Sequence, residues 1–225
     1  SRYDGDGDYN NDGISDGPAL PKVNYWKVLN EPNLNRYWED TPANYAKLIR
    51  LSSENLRKAN PDGKIIFGGI SNKNILMNEK VNTTFLDNLF KFTFPDGKKI
   101  QDYLDYMNFH YHGTSENMNK FLQNQIETMK KYNVKKPFIM GEIGCPGGVK
   151  FSFEEGQTIN ASLESQASEM VKMFIIALAR GAEKIIYQSI SDQKKQLKDS
   201  LSNDTIFVSD ETIEDIYQHD ILSYD

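Results

Sequence analysis

A parallel α/β architecture is what this sequence predicts, and three observations predict it. Short apolar and β-branched runs recur at about residues 23–29, 64–68, 105–109, 137–141 and 184–188. Amphipathic helical stretches lie between them, at about 43–59, 82–92, 117–132 and 163–180. Each apolar run also stops abruptly at polar residues or glycines, so one end of the expected sheet collects chemistry-bearing side chains. A strand followed by a helix followed by a strand is the connection that places neighbours parallel, since a tight turn would reverse the chain.

The N-terminal stretch 1–17 precedes this pattern and is of a different kind. Oxygen-bearing side chains stand at every second position from Asp4 through Asp6, Asp8 and Asn10 to Asp12, with Asp16 beyond. Alternation of that sort wraps oxygens around a hard cation, and Ca²⁺ bound by Asp4, Asp6, Asp8, Asn10, Asp12 and Asp16 in a structural role is the expectation. In the register that begins at Asp8 the glycine falls correctly at Gly13, but Ala19 stands where an EF-hand needs a bidentate Glu. The stretch resembles the shorter Asp-rich calcium loops, and a metal-free acidic turn is the alternative. The organisation expected is this loop, an α/β body over 18–195, and an acidic tail over 196–225.

In the body, the first strand runs through Trp26, Val28 and Leu29 and gives way to Asn30-Glu31-Pro32-Asn33. Pro32 has no N–H for a ladder, so the chain must leave the sheet with Asn30 and Glu31 at its rim. Trp26, inside the strand, is expected in the core. Thr41 and Pro42 then open a helix as N-cap and first-turn proline, with Tyr45, Leu48, Ile49, Leu51 and Leu56 as its buried stripe. The strand Lys64–Phe67 ends on Gly68-Gly69, which predicts close backbone packing or ligand approach. The strand at 105–109 leads into His110-Tyr111-His112. The strand Phe138-Ile139-Met140 reaches Gly141-Glu142-Ile143-Gly144, a second acid where apolar character ends.

Cleavage of a glycosidic bond needs two carboxyls flanking one bond. Asn-Glu-Pro-Asn at 30–33 followed about a hundred residues later by Met-Gly-Glu-Ile-Gly at 140–144 resembles the clan of retaining glycoside hydrolases built on (β/α)8 TIM barrels. The resemblance covers about residues 20–192. It implies Glu31 as acid/base after barrel strand four, Glu142 as nucleophile after strand seven, and carboxyls roughly 5–5.5 Å apart rather than the ~6.5–9.5 Å of inverting enzymes. It further implies Asn30 on a sugar 2-hydroxyl, and His110 or Tyr111, with His112 beside them, on the nucleophile or on sugar hydroxyls. Trp38 would be a sugar-stacking face. On the last strand Tyr187 and Gln188 stand where the clan usually shows an aromatic, often Trp. Only strands four to eight of the barrel are expected in this chain, so either it is a fragment or a partner segment or chain completes the barrel. A carbohydrate substrate is implied, and no catalytic cofactor.

Alternatives stay open on the residues themselves. His110 and His112 with a glutamate could ligate a metal, and a degenerate barrel could bind carbohydrate without cleaving it. Cys145 lacks a neighbouring base in the sequence and is expected to be an inert thiol; as the only cysteine it forms no internal disulfide. Acid is concentrated at the two ends, leaving a mildly positive body without the contiguous basic face of a nucleic-acid binder. No apolar run approaches the ~18 residues of a membrane span. Sequons at Asn82, Asn160 and Asn203 are compatible with secretion, and a cytoplasmic setting is equally so.

Overall fold

The computed structural model describes residues 13, 17–18, 22–72, 81–145, 150–153, 157–160 and 162–188. The candidate calcium ligands Asp4, Asp6, Asp8, Asn10, Asp12 and Asp16, and the acidic tail, lie outside the described residues. The elements in chain order are β1 (Tyr25–Lys27), α1 (Pro42–Ala59), β2 (Lys64–Ile66), β3 (Ile70–Ser71), α2 (Phe85–Lys91), β4 (Met107–His112), α3 (Ser115–Lys131), β5 (Phe138–Gly144), β6 (Lys150–Phe153), β7 (Gln157–Asn160), α4 (Leu163–Ala179) and β8 (Ala182–Tyr187). The five expected strands are β1, β2, β4, β5 and β8, and the four expected helices are α1 to α4. Two compact units divide the chain: residues 1–70, 80–109 and 125–139 form one, and residues 71–79, 110–124 and 140–225 the other.

In the first unit β1 pairs in parallel with β2, Trp26 opposite Ile65, and a parallel bridge joins Ile66 to Tyr106 just before β4. The crossover between β1 and β2 is α1. Thr41 has extended backbone and its hydroxyl accepts from the Asn44 N–H at 3.2 Å, with Pro42 in the first turn, which satisfies one of the orphan donors of a helix start. Arg57 and Lys58 fall in the last turn, where cations suit the helix dipole. The helix buries Tyr45, Ala46, Ile49 and Ser53. Leu51, expected in that stripe, is instead 58% exposed: it sits two residues after Ile49, about 200° around the helix, on the water side. Tyr45 packs edge-on against Phe67 at 5.6 Å and Phe85 at 5.7 Å, forming the centre of the core. Asp105 ties the sheet to α1, its Oδ2 accepting from the Ile65 N–H at 2.8 Å and from Arg57 at 3.0 Å.

Trp26 corrects another expectation. It is 38% exposed, and Tyr25 is 46% exposed, although both lie in β1. Among the described residues β1 pairs with β2 alone, and all three of its residues are exposed. Strand propensity identified the element but not the number of its neighbours.

The second unit holds the carboxyl-terminal ends of β4 and β5 in a sheet of order β3-β4-β5-β8. Ser162 caps α4 by accepting from the Ser165 N–H at 3.1 Å, and Met173 and Ala177 are buried on one face of that helix. Val171, Ile175 and Leu178 occupy another face and are exposed. A hairpin of β6 and β7, antiparallel with Phe151 opposite Ile159, was not anticipated. Among the described residues no helix is long and apolar enough to cross a membrane.

Candidate active site

Glu31 is placed by backbone. After β1 the Val28 N–H still reaches the Ile66 carbonyl at 3.1 Å, and then the chain turns out of the sheet: Leu29 takes φ 59° and Glu31 φ 40°. Left-handed backbone is costly for side chains with a Cβ and recurs where a site demands it. The Glu31 N–H donates to the Gly68 carbonyl at 3.1 Å, and its own carbonyl accepts from Leu34 at 2.9 Å. The residue is 3% exposed, with the Arg36 guanidinium 3.8 Å from Oε2.

The glycine pair expected to permit close packing does so at Gly68. A Cβ there would stand 2.7 Å from the Val28 carbonyl and 2.8 Å from the Tyr45 hydroxyl. That hydroxyl donates to the Val28 carbonyl at 2.9 Å and accepts from the Gly68 N–H at 3.0 Å. Burial pushes the Tyr45 phenol well above its ordinary value, so the donor stays protonated. Tyr45 and Arg36 are the site residues that sequence reasoning missed here. A tyrosine on a helix's buried face needs a partner for its hydroxyl, which was the available signal; nothing in the sequence singled out Arg36.

Asn30 is half-buried and accepts from the Lys27 ammonium at 2.6 Å. Trp38 is half-buried, donates from Nε1 to the Thr41 carbonyl at 3.2 Å, and meets Tyr45 edge-on. A cavity of about 410 Å³ opens beside Pro32 and Trp38, with Asn35, Glu39, Asp40 and Asn82 on its wall. The Asp40 carboxyl is held below its usual range by the Thr41 backbone N–H and by the Asn44 amide.

Glu142 is placed by side chains. Successive residues of a strand face opposite sides, so His110 and His112 share one face of β4 and Tyr111 the other. His112 Nε2 lies 3.0 Å from Glu142 Oε1, and His110 Nδ1 lies 3.7 Å from Oε2. Two imidazoles thus address the two oxygens of one carboxylate. His110 is fully buried, so its surroundings direct it to Glu142 rather than to a sugar hydroxyl. Tyr111, expected to touch nucleophile or substrate, is buried as well and packs its ring 5.4 Å from Phe121 of α3. Strand alternation decided the outcome: one residue's shift in register exchanges the rim for the core.

On β8 the Tyr187 hydroxyl accepts from the Cys145 N–H at 3.3 Å and its ring stacks on Phe174. Gln188 continues the ladder, donating its N–H to the Ile143 carbonyl at 2.8 Å. Cys145 is buried, and desolvation followed by the charge of Glu169 pushes its thiol up to about 11. A thiol so held is protonated at neutral pH and a poor nucleophile.

Neither a protein-family model nor a curated protein matches the chain. Solved structures do. A family 51 α-L-arabinofuranosidase from Bifidobacterium longum superposes with a TM-score of 0.57 at 13% identity, covering 79% of this chain and 40% of that one. A glucosidase from Croceicoccus marinus gives 0.52 at 13%, covering 76% and 33%. An active-site mutant of a β-1,3-glucanosyltransferase from Rhizomucor miehei gives 0.51 at 14%, covering 80% and 58%. The likeness is one of fold. The chain is α/β of the (β/α)8-barrel type, and it spans about a third to three fifths of the length of these neighbours. Glu31 lies just past the carboxyl-terminal end of β1, His112 closes β4, and Glu142 stands two residues before the end of β5.

Proposed function

We propose that this chain carries the carboxyl pair of a retaining glycoside hydrolase, with Glu142 as nucleophile and Glu31 as acid and base. The Glu142 carboxylate attacks the anomeric carbon while Glu31 gives its proton to the departing glycosidic oxygen. A covalent glycosyl ester forms, and Glu31 then takes a proton from the water that releases the sugar. The observation that supports this best is that both carboxyls are held rather than solvated. Glu31 is buried on a left-handed backbone at a strand's exit, and Glu142 is bracketed by His110 and His112. In this reading Asn30 leaves Lys27 to bind a sugar 2-hydroxyl, Trp38 supplies a sugar-stacking edge beside its cavity, and Tyr187 with Gln188 line the rim at the last strand.

Glu31→Gln and Glu142→Gln test it on aryl glycosides. Each should lower turnover by about 10²–10⁴-fold, with net retention at the anomeric carbon in the unaltered protein and azide or formate restoring turnover only where the ion can fill the lost role. Inversion, or turnover that survives both substitutions, would refute the assignment. The exposed face of β1 favours a second reading, in which carbohydrate is bound but not cleaved until a further segment or chain completes the barrel. Turnover that appears only when such a segment is supplied decides for it. For residues 4–16 we retain the proposal of a structural Ca²⁺ site; a melting temperature equal in excess calcium and in chelator would remove it.

A further inference from the structure

The catalytic reading leaves unexplained how His112 is kept pointing at Glu142. Its imidazole is only partly covered, and a histidine at the last position of a strand has the freedom to swing. The neighbouring residue Asn72, just past β3, supplies an answer. Its side-chain Nδ2 donates to the His112 carbonyl at 2.8 Å, and its Oδ1 accepts from the His112 N–H at 2.9 Å. One amide side chain thereby imitates the paired backbone of an adjacent strand, and it does so at the residue whose ring lies 3.0 Å from Glu142. The other side of the ring is bounded by β5: a Cβ on Gly144 would stand 3.2 Å from His112 Nδ1, so the imidazole lies against bare backbone.

We propose that Asn72 is a positioning residue that clamps the backbone of His112, so that with Gly144 beneath the ring Nε2 is presented to Glu142 in one tautomer. A carboxylate only accepts hydrogen bonds, so the Nε2 that faces Oε1 carries the hydrogen and Nδ1 is bare when the ring is neutral. Loss of either amide contact frees the backbone of His112 to tilt, and the ring loses its fixed approach to Glu142. Asparagine suits the task because it offers donor and acceptor in one plane; aspartate keeps only the acceptor, and alanine neither.

The consequence for turnover rests on Glu142 being the nucleophile, while the clamp itself does not, and the experiment separates the two. In histidine-labelled protein in mildly alkaline buffer, long-range ¹H–¹⁵N spectra should show His112 as a single Nε2–H tautomer. Asn72→Ala should mix the tautomers and broaden the resonances, and Asn72→Asp should fall between. On an aryl glycoside kcat should drop on the order of 10- to 100-fold with KM little changed, as for a misplaced rather than a missing group. Thermal melts establish that each variant is folded, and the Asp variant carries the test if the Ala variant is not. A folded variant that keeps the Nε2–H tautomer and its linewidth overturns the proposal. Changed spectra in a protein that cleaves no glycoside, alone or with the completing segment supplied, would leave the clamp standing and refute the hydrolase reading instead.

Discussion

Glu31 lies past the end of β1 and Glu142 within the last residues of β5, and the backbone holds the first while side chains hold the second. Around Glu31 the determinants are a left-handed residue, a carbonyl from Gly68 and a tyrosine hydroxyl beneath the turn. Around Glu142 the strand simply continues, and His112 and His110 come from the neighbouring strand to meet the carboxylate. The difference teaches where each site is vulnerable. Strain and close packing make the Glu31 rim sensitive to changes in backbone shape, whereas the Glu142 rim is sensitive to hydrogen-bonding groups.

The comparison breaks most directly at Gly68. A methyl group there meets the Val28 carbonyl and the Tyr45 hydroxyl, so Gly68→Ala should destabilise the protein by about 2–4 kcal/mol in denaturant unfolding. An unchanged midpoint would mean that the Glu31 turn is not packed as described. Next in size is Tyr45→Phe. It leaves the Val28 carbonyl and the Gly68 N–H without the hydroxyl they share, a loss of about 1–3 kcal/mol measured the same way. The smallest effect is also the sharpest discriminator. Glu31→Gly relieves a left-handed residue worth about 1–2 kcal/mol, which offsets its lost contacts and holds or raises the melting temperature, while Glu142→Gly removes an anchored side chain from extended backbone and lowers it. Equal falls in both variants would erase the contrast between the rims.

Much of this was legible in the sequence because the relevant signals were local. A strand exit marked by Asn30-Glu31-Pro32, a helix start marked by Thr41-Pro42, and glycines around Glu142 each announce themselves within a few residues. What escaped depended on distant neighbours. Trp26 reads as core until the number of strands beside it is known, and Leu51 until the helix is seen to roll its stripe toward Ala46 and Ser53. Tyr111 and His112 differ by one place, so only the true register tells rim from core. Asn72 shows no pattern at all, since its partner lies 40 residues away. The β6–β7 hairpin did carry a signal, the alternation of Lys150-Phe151-Ser152-Phe153 before Gly156, but it interrupts a strand-and-helix rhythm that the surrounding chain had led us to expect.

The stripe of Val171, Ile175 and Leu178 on α4, with Ile186 exposed on β8, bears on how the protein behaves at the bench. A net charge of −6 keeps molecules apart at low ionic strength, but that repulsion is screened within a Debye length of about 10 Å at 0.1 M salt. Sulfate then strengthens apolar association further by being excluded from the surface. The chain should therefore bind tightly to a phenyl matrix in ammonium sulfate and leave it as the salt is withdrawn, and preparations concentrated in sulfate or phosphate should gain light scattering well before those kept in dilute buffer.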